Sequence, residues 1–239
     1  MHKAATSALA AVRELDVCAG AIRERELESV TFVYASASLP QSGGRLSAEL
    51  LERFQEAHPS TSLNIFELTA DACINAVSQR RADVAYAPAY TLPAGLEGTV
   101  IGYGESCVGM SRRNPLAARE SIFFADLRDV EIFPPPDLGP SYQGIVEHCR
   151  AYGFEPRFSN VPFGVENARR FIRDDCGVSI TPRYHAEHDE LARTGEVVYR
   201  PFAAEDDFKL PLLLIWRKGD AKGQSLRDFI LAQPDAPMA

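Results

Sequence analysis

Hydroxyl side chains and helix starts occur where two predicted strands end in the first third of the chain. Strand 30–34 runs into a loop, 35–45, that is rich in serine and glycine, and a helix follows it. Strand 63–68 is followed directly by a second helix. Loop hydroxyls and helix N-termini that face one crevice form a site for a small, often anionic ligand. The chemistry predicted for this region is ligand binding.

Other residues with catalytic or metal-binding chemistry do not form a convincing set. His185 and His188 have the spacing of two metal ligands on a helix, but their segment is polar and no third ligand is predictable. We therefore expect surface histidines. His148 and Cys149 are adjacent, so a helix would point them in different directions and a dyad is not supported. Without a nucleophile elbow, a phosphate-binding glycine loop or an HExxH motif, we predict no enzyme activity, no cofactor and no metal site.

The elements that position the crevice alternate between strand and helix. Alternating strands and helices predict parallel strands joined by right-handed crossovers. Pro59 ends the first helix, Asp71 is predicted to cap the second, and 84–87 form a third strand. The residues predicted to face the core are Leu46, Leu50, Leu51, Phe54 and Ala57 in the first helix and Cys73, Ala76 and Val77 in the second.

Composition limits the possible partners. The chain has 239 residues, enough to bury a core without disulfides, and a formal net charge of −8. An acidic chain is not expected to grip nucleic acid by itself. Five scattered cysteines, none in a CxxC pattern, predict reduced thiols in a cytoplasmic protein. The sequence contains no apolar run that could span a membrane, and the apolar run at the N-terminus is interrupted by Arg13 and Glu14, unlike a secretory leader.

The N-terminal segment is predicted to be an amphipathic helix over 4–27. Ala8, Val12, Leu15, Ala19 and Ile22 form a heptad-like apolar stripe. Such a helix could pack on its own domain or pair with another subunit, and the residues favour neither.

Several short motifs, in order, resemble the effector-binding domain of LysR-type transcriptional regulators. They are LLERF at 50–54 with AHP at 57–59, RADVA at 81–85, SRRNPLA at 111–117, ADL at 125–127 and DCGVSITP at 175–182. One departure is Asn114, which stands where the family more often has histidine. Together these motifs extend over about 30–232.

The resemblance implies an α/β fold of two Rossmann-like subdomains joined by two crossover strands, like the type II periplasmic binding proteins. It implies a linker or dimerisation helix at 1–29, subdomain I at 30–104 and 213–239, and subdomain II at 105–212. Short strands at 106–110 and 131–134, helices at 142–152 and 167–174, and a crossover strand at 210–216 agree with this division. Family members carry a helix-turn-helix that this sequence lacks, so DNA binding is expected only through such a part.

Ligand residues in this family come from strand-to-helix junctions that face the cleft. Carried over by position, the resemblance implicates Ser36, Ser38, Thr69, Ser141, Tyr142, Gly164 and Asn167. Hydroxyls and helix N–H groups suit a carboxylate-bearing effector. Ser36, Ser38 and Thr69 could equally be turn and cap residues.

Three functions are compatible with this fold. The leading hypothesis is the effector-sensing and self-associating part of a LysR-type regulator, forming a homodimer or a tetramer. The alternatives are a solute-binding protein of a transporter, which the lack of a credible leader disfavours, and an enzyme on the same fold, which the lack of a catalytic set disfavours.

Overall fold

The computed structural model describes residues 29–35, 38, 46–135, 139–206 and 208–233. The predicted N-terminal helix and Ser36 lie outside these residues. The strands are β1 (Ser29–Ala35), β2 (Ser62–Leu68), β3 (Val84–Pro88), β4 (Leu96–Ser111), β5 (Glu131–Ile132), β6 (Arg157–Phe158), β7 (Val178–Pro182), β8 (Val197–Pro201) and β9 (Lys209–Arg217). The helices are α1 (Ala48–Ala57), α2 (Ala70–Ser78), α3 (Pro140–Ala151), α4 (Val165–Arg173), α5 (Arg183–Glu187), α6 (Glu190–Thr194) and α7 (Gln224–Leu231).

The described strands form one mixed sheet in the order β2-β1-β3-β9-β4-β7-β5-β6, with β8 also pairing with β4. As predicted, β1 is parallel to both β2 and β3. Strands β4 and β9 are the antiparallel crossovers that connect the two halves. We call the part built on β1–β3 and the paired lengths of β4 and β9 subdomain I. The part built on β5–β8 and the end of β4 is subdomain II.

Subdomain I is a three-layer structure because its central strands are buried on both faces. On β3, Val84 and Tyr86 pack towards α1 and α7, whereas Ala85 and Ala87 pack towards α2. Alternation along a strand sends successive side chains to opposite faces, so a wholly apolar strand fits between two helical layers. The core of subdomain II contains an aromatic group in which Phe124 stacks on Phe202 at 4.5 Å and meets Phe208 edge-on.

Capping residues explain why α1 and α2 begin where they do. The Ser47 hydroxyl accepts a hydrogen bond from the backbone N–H of Leu50 at 3.1 Å, which caps α1. The cap of α2 was predicted wrongly: Thr69 Oγ1 accepts from the N–H of Ala72, and Asp71 lies in the first turn. An acidic residue there interacts favourably with the helix dipole without being the cap.

Three further differences from the sequence analysis have simple causes. Strand β4 runs from 96 to 111, whereas only 106–110 was predicted, because glycines obscure the strand pattern of its first part. Ala57 is exposed at the end of α1. Residues 63–68 were predicted as a strand of alternating apolar and polar residues, but β2 is an edge strand on which both Ile65 and Phe66 are exposed.

Gly177 explains one of the motifs. A Cβ at this position would lie 2.1 Å from the carbonyl oxygen of Glu131, so only glycine lets the start of β7 approach β5 this closely. The preceding Asp175 has a φ of 62°, which makes the turn out of α4 tight. Within the described residues, Cys73, Cys107, Cys149 and Cys176 are free thiols, as predicted for these four.

Candidate functional site

A cleft of about 560 Å³ is lined by both subdomains. Its walls come from the ends of strands and the starts of the helices that follow them. Subdomain I contributes residues from the ends of β1, β2 and β3, and subdomain II contributes the starts of α3 and α4, strand β7 and helix α5. This is the edge at which the sequence predicted a crevice, because strand ends and helix N-termini meet there.

Two predicted residues of subdomain I line the cleft. Ser38 does so while only 3% exposed. Thr69 lies at the end of β2, and its oxygen accepts the capping hydrogen bond of α2. Because a hydroxyl donates as well as accepts, Thr69 can still donate a hydrogen bond to a molecule in the cleft.

The predicted residues of subdomain II divide into two groups. Ser141 and Gly164 line the cleft. Tyr142 instead stacks on Phe158 with ring centroids 5.0 Å apart, and the Asn167 amide donates to the carbonyl oxygen of Pro162 at 3.0 Å. The structure therefore brings Ser38, Thr69, Ser141 and Gly164 to one cavity and leaves Tyr142 and Asn167 outside its lining.

The starts of α2, α3 and α4 all contribute residues to the cleft. Helices α3 and α4 begin after Gly139 and Gly164, and neither start has a side-chain cap. The first N–H groups of a helix have no partner within it, and the helix dipole places partial positive charge there. Together these helix starts favour an anionic group in the cleft.

A buried acidic residue accepts the hydrogen bonds of a side-chain cluster that was not predicted from the sequence. Asp189 is 5% exposed and accepts hydrogen bonds from Arg169 Nε at 3.1 Å and from the Tyr199 hydroxyl at 2.6 Å. Its Oδ1 also accepts from the N–H of Leu191, which caps α6. Arg169, Asp189 and Tyr199 all line the cleft. Asp189 before a short helical segment was the one signal available, and it indicates a cap only.

The two histidines were expected on the surface, and both are exposed, but they also line the cleft. Partial burial lowers the pKa of His185, His188 acts in the same direction, and Glu67 on the opposite wall opposes this shift. His188 Nδ1 lies 2.7 Å from the carbonyl oxygen of Tyr184. Among the described residues, no three His, Cys, Asp or Glu side chains are grouped so that they could hold a metal ion.

Apolar residues cover much of the subdomain II wall. Phe163 and Val165 are 55% and 64% exposed, and Phe133, Ala168 and Ile172 line the same wall. Exposed apolar side chains inside a concave site commonly contact a ligand's apolar part. The cleft therefore combines hydroxyls and helix N-termini with an apolar surface.

Comparisons with known proteins agree with this architecture. The effector-binding domain of BenM with its effector benzoate superposes with a TM-score of 0.66 at 18% identity, covering 85% of this chain and 90% of that one. The effector-binding domain of QuiR in complex with shikimate gives 0.68 at 17% identity, covering 85% and 95%. Full-length CbnR complexed with its target DNA gives 0.64 at 18% identity, covering 94% and 80%. At these identities the likeness establishes the fold.

A search of curated proteins finds no match. Within the described residues, no helix is long and apolar enough to cross a membrane.

Family membership follows from the sequence itself. The family model described as the LysR substrate binding domain matches residues 37–233, which is most of the chain. With the fold and the cleft in agreement, the chain belongs to this family, the effector-binding domains of LysR-type transcriptional regulators.

Proposed function

We propose that this chain senses a small carboxylate-bearing metabolite in the cleft between its subdomains. The observation that carries the proposal is the convergence of Ser38, Thr69 and Ser141 with the starts of three helices on one cavity. Hydroxyls donate to carboxylate oxygens, and helix N-termini stabilise negative charge. BenM and QuiR, which share the fold, are described with benzoate and shikimate bound.

Sensing requires that the effector bind one arrangement of the subdomains more tightly than another. A ligand shifts a conformational equilibrium only by its difference in affinity for the two states. We assign the moving bodies to 30–104 with 213–239 and to 105–212. The boundaries between the two bodies lie on β4 and β9, and the pairing of these strands changes register nearby, between Val100 and Gly102. An effector held by both walls favours the closed arrangement.

The output of this movement is a change in how subunits associate. We propose a homodimer or tetramer, with 1–29 as a dimerisation helix, in the cytoplasm. DNA would be bound through a helix-turn-helix outside this sequence, and catalysis has no part in the function. Sedimentation analysis of the purified chain tests the association.

Thermal-shift measurements against small carboxylates, aromatic acids, amino acids, amines and sugars test the sensing role. A compound present at 100 times its dissociation constant should add about 2.7 kcal/mol to the free energy of unfolding. We expect carboxylates to stabilise the wild type, and Ser38→Ala and Thr69→Ala to reduce the shift. If no class of compound raises the transition temperature, the proposal is wrong.

A further inference from the structure

Arg169 is the one arginine or lysine among the described residues that line the cleft. It lies in α4, where its Nε donates to Asp189 and its Nη1 donates to Glu166 at 3.0 Å. Its Nη2 bonds to no described residue. A guanidinium has five N–H donors in a fixed fork, so these two contacts leave donors available to a molecule in the cleft.

The two acidic partners of Arg169 differ in kind. Asp189 is buried, and the Tyr199 hydroxyl and the Leu191 N–H also donate to it, so it does not depend on Arg169 alone for its hydrogen bonds. The Glu166 side chain is 85% exposed, and an ion pair so exposed to water contributes little. Asp189 thus fixes the orientation of the guanidinium. The hydrogen bond from Nη1 to Glu166 can be replaced by one from Nη1 to a better acceptor.

Helix α4 places the guanidinium beside the apolar wall. Val165 and Arg169 are four residues apart, so they are neighbours on one face of the helix, and Ala168 and Ile172 also line the cleft. Phe163 lies just before the helix and is exposed at the same wall. A ligand with one acidic group and an apolar body would contact both parts of this face.

We propose that Arg169, positioned by Asp189, binds the acidic group of an effector whose body is apolar, packed against Phe163 and Val165. This inference rests on the proposed sensing function and specifies the ligand class and the residue that selects it. Discrimination between an acid and its neutral amide follows, because a charged guanidinium pairs with a carboxylate more strongly than with an amide.

The experiment compares benzoate with benzamide and phenylacetate with phenylacetamide on the full chain, by thermal shift and calorimetry. The variants are Arg169→Gln and Arg169→Lys, with Arg170→Gln as the matched control. Arg170 is the next residue, is mostly exposed, and pairs with Asp174 outside the cleft. We expect the wild type and Arg170→Gln to bind the acids in preference to the amides, and Arg169→Gln to bind them about 10- to 100-fold more weakly.

Arg169→Lys keeps the charge but loses the planar fork, so it should bind the acids with intermediate affinity, and it serves if Arg169→Gln does not fold. Acids that bind Arg169→Gln as tightly as the wild type, or amides that bind as tightly as acids, would overturn the inference and leave the sensing function standing. The inference is also overturned if only sugars or amines stabilise the wild type. If no compound of the wider panel binds, the sensing function itself fails.

Discussion

Two arginines of this molecule are held by buried aspartates, one inside subdomain I and one at the cleft. Arg217 is 8% exposed, and each of its guanidinium nitrogens is bonded: Nε to Asp220, Nη1 to the carbonyl oxygens of Val77 and Ala82, and Nη2 to Asp83. Arg169 donates through Nε to Asp189 and through Nη1 to the exposed Glu166, and it lines a cavity. A fully bonded arginine fixes the structure, whereas a partly bonded one at a concave surface remains able to bind a ligand.

The largest expected effect is at Arg217. Arg217→Met leaves Asp83 buried with a weaker set of partners, and breaking a buried ion pair in this way costs about 3–5 kcal/mol. Urea denaturation measures the loss. Arg80→Gln is the control, since Arg80 approaches Asp220 only from the surface and should leave unfolding nearly unchanged. Equal losses in the two variants would contradict the structural role of Arg217.

Asp189 should show an intermediate effect with a functional part. Asp189→Asn removes the charge that holds Arg169 and Tyr199, and we expect it to lower the free energy of unfolding by about 1.5–3 kcal/mol. It should also weaken binding of benzoate, measured by calorimetry. Asp174→Asn, which removes a charge from exposed ion pairs at the end of α4, should change neither. If Asp189→Asn destabilises the protein but leaves benzoate binding intact, Asp189 has only a structural role, like Asp83.

The same comparison, between a residue at the cleft and one away from it, can be made for two hydroxyl residues that cap helices. Thr69→Ala and Ser47→Ala each remove an N-cap, and each should cost about 1 kcal/mol in urea denaturation. Thr69 lines the cleft and Ser47 does not, so only Thr69→Ala should also reduce the thermal shift produced by an effector. Matching losses of that shift in both variants would mean that helix stability, not a direct contact, explains the effect.

The smallest expected effect is on pH dependence. The pKa of His185 is lowered chiefly by burial, so the folded state binds a proton there less readily than the unfolded state, whose histidine pKa is about 6.5. Above that pH the histidine is neutral in both states, so the shift does not change the free energy of unfolding. As the pH falls below it, the unfolded state binds the proton more readily and the folded state loses stability. His185→Gln should unfold with a weaker pH dependence between about pH 7 and 5. An unchanged profile would contradict the shift.

The sequence was sufficient to locate the strand-to-helix junctions that line the cleft. Ser38, Thr69, Ser141 and Gly164 could be located because strand and helix patterns, with the family resemblance, order the junctions along one edge. Arg169, Asp189 and Tyr199 could not be grouped, because they lie on α4, at the start of α6 and on β8, and only tertiary packing joins them. The histidine segment was correctly predicted as exposed, but exposure does not distinguish a cleft wall from the outer surface.

The position of β9 has a consequence for synthesis of the chain. Strand β9 pairs with β3 on one side and β4 on the other, although it is the last of the described strands in chain order. While a ribosome is still adding the residues before Lys209, the facing edges of β3 and β4 have no strand to pair with. Unpaired strand edges are the surfaces through which chains aggregate. A nascent chain therefore depends on residues 209–217 to close the middle of the sheet, and a product that stops before them should be recognised as unfolded and degraded.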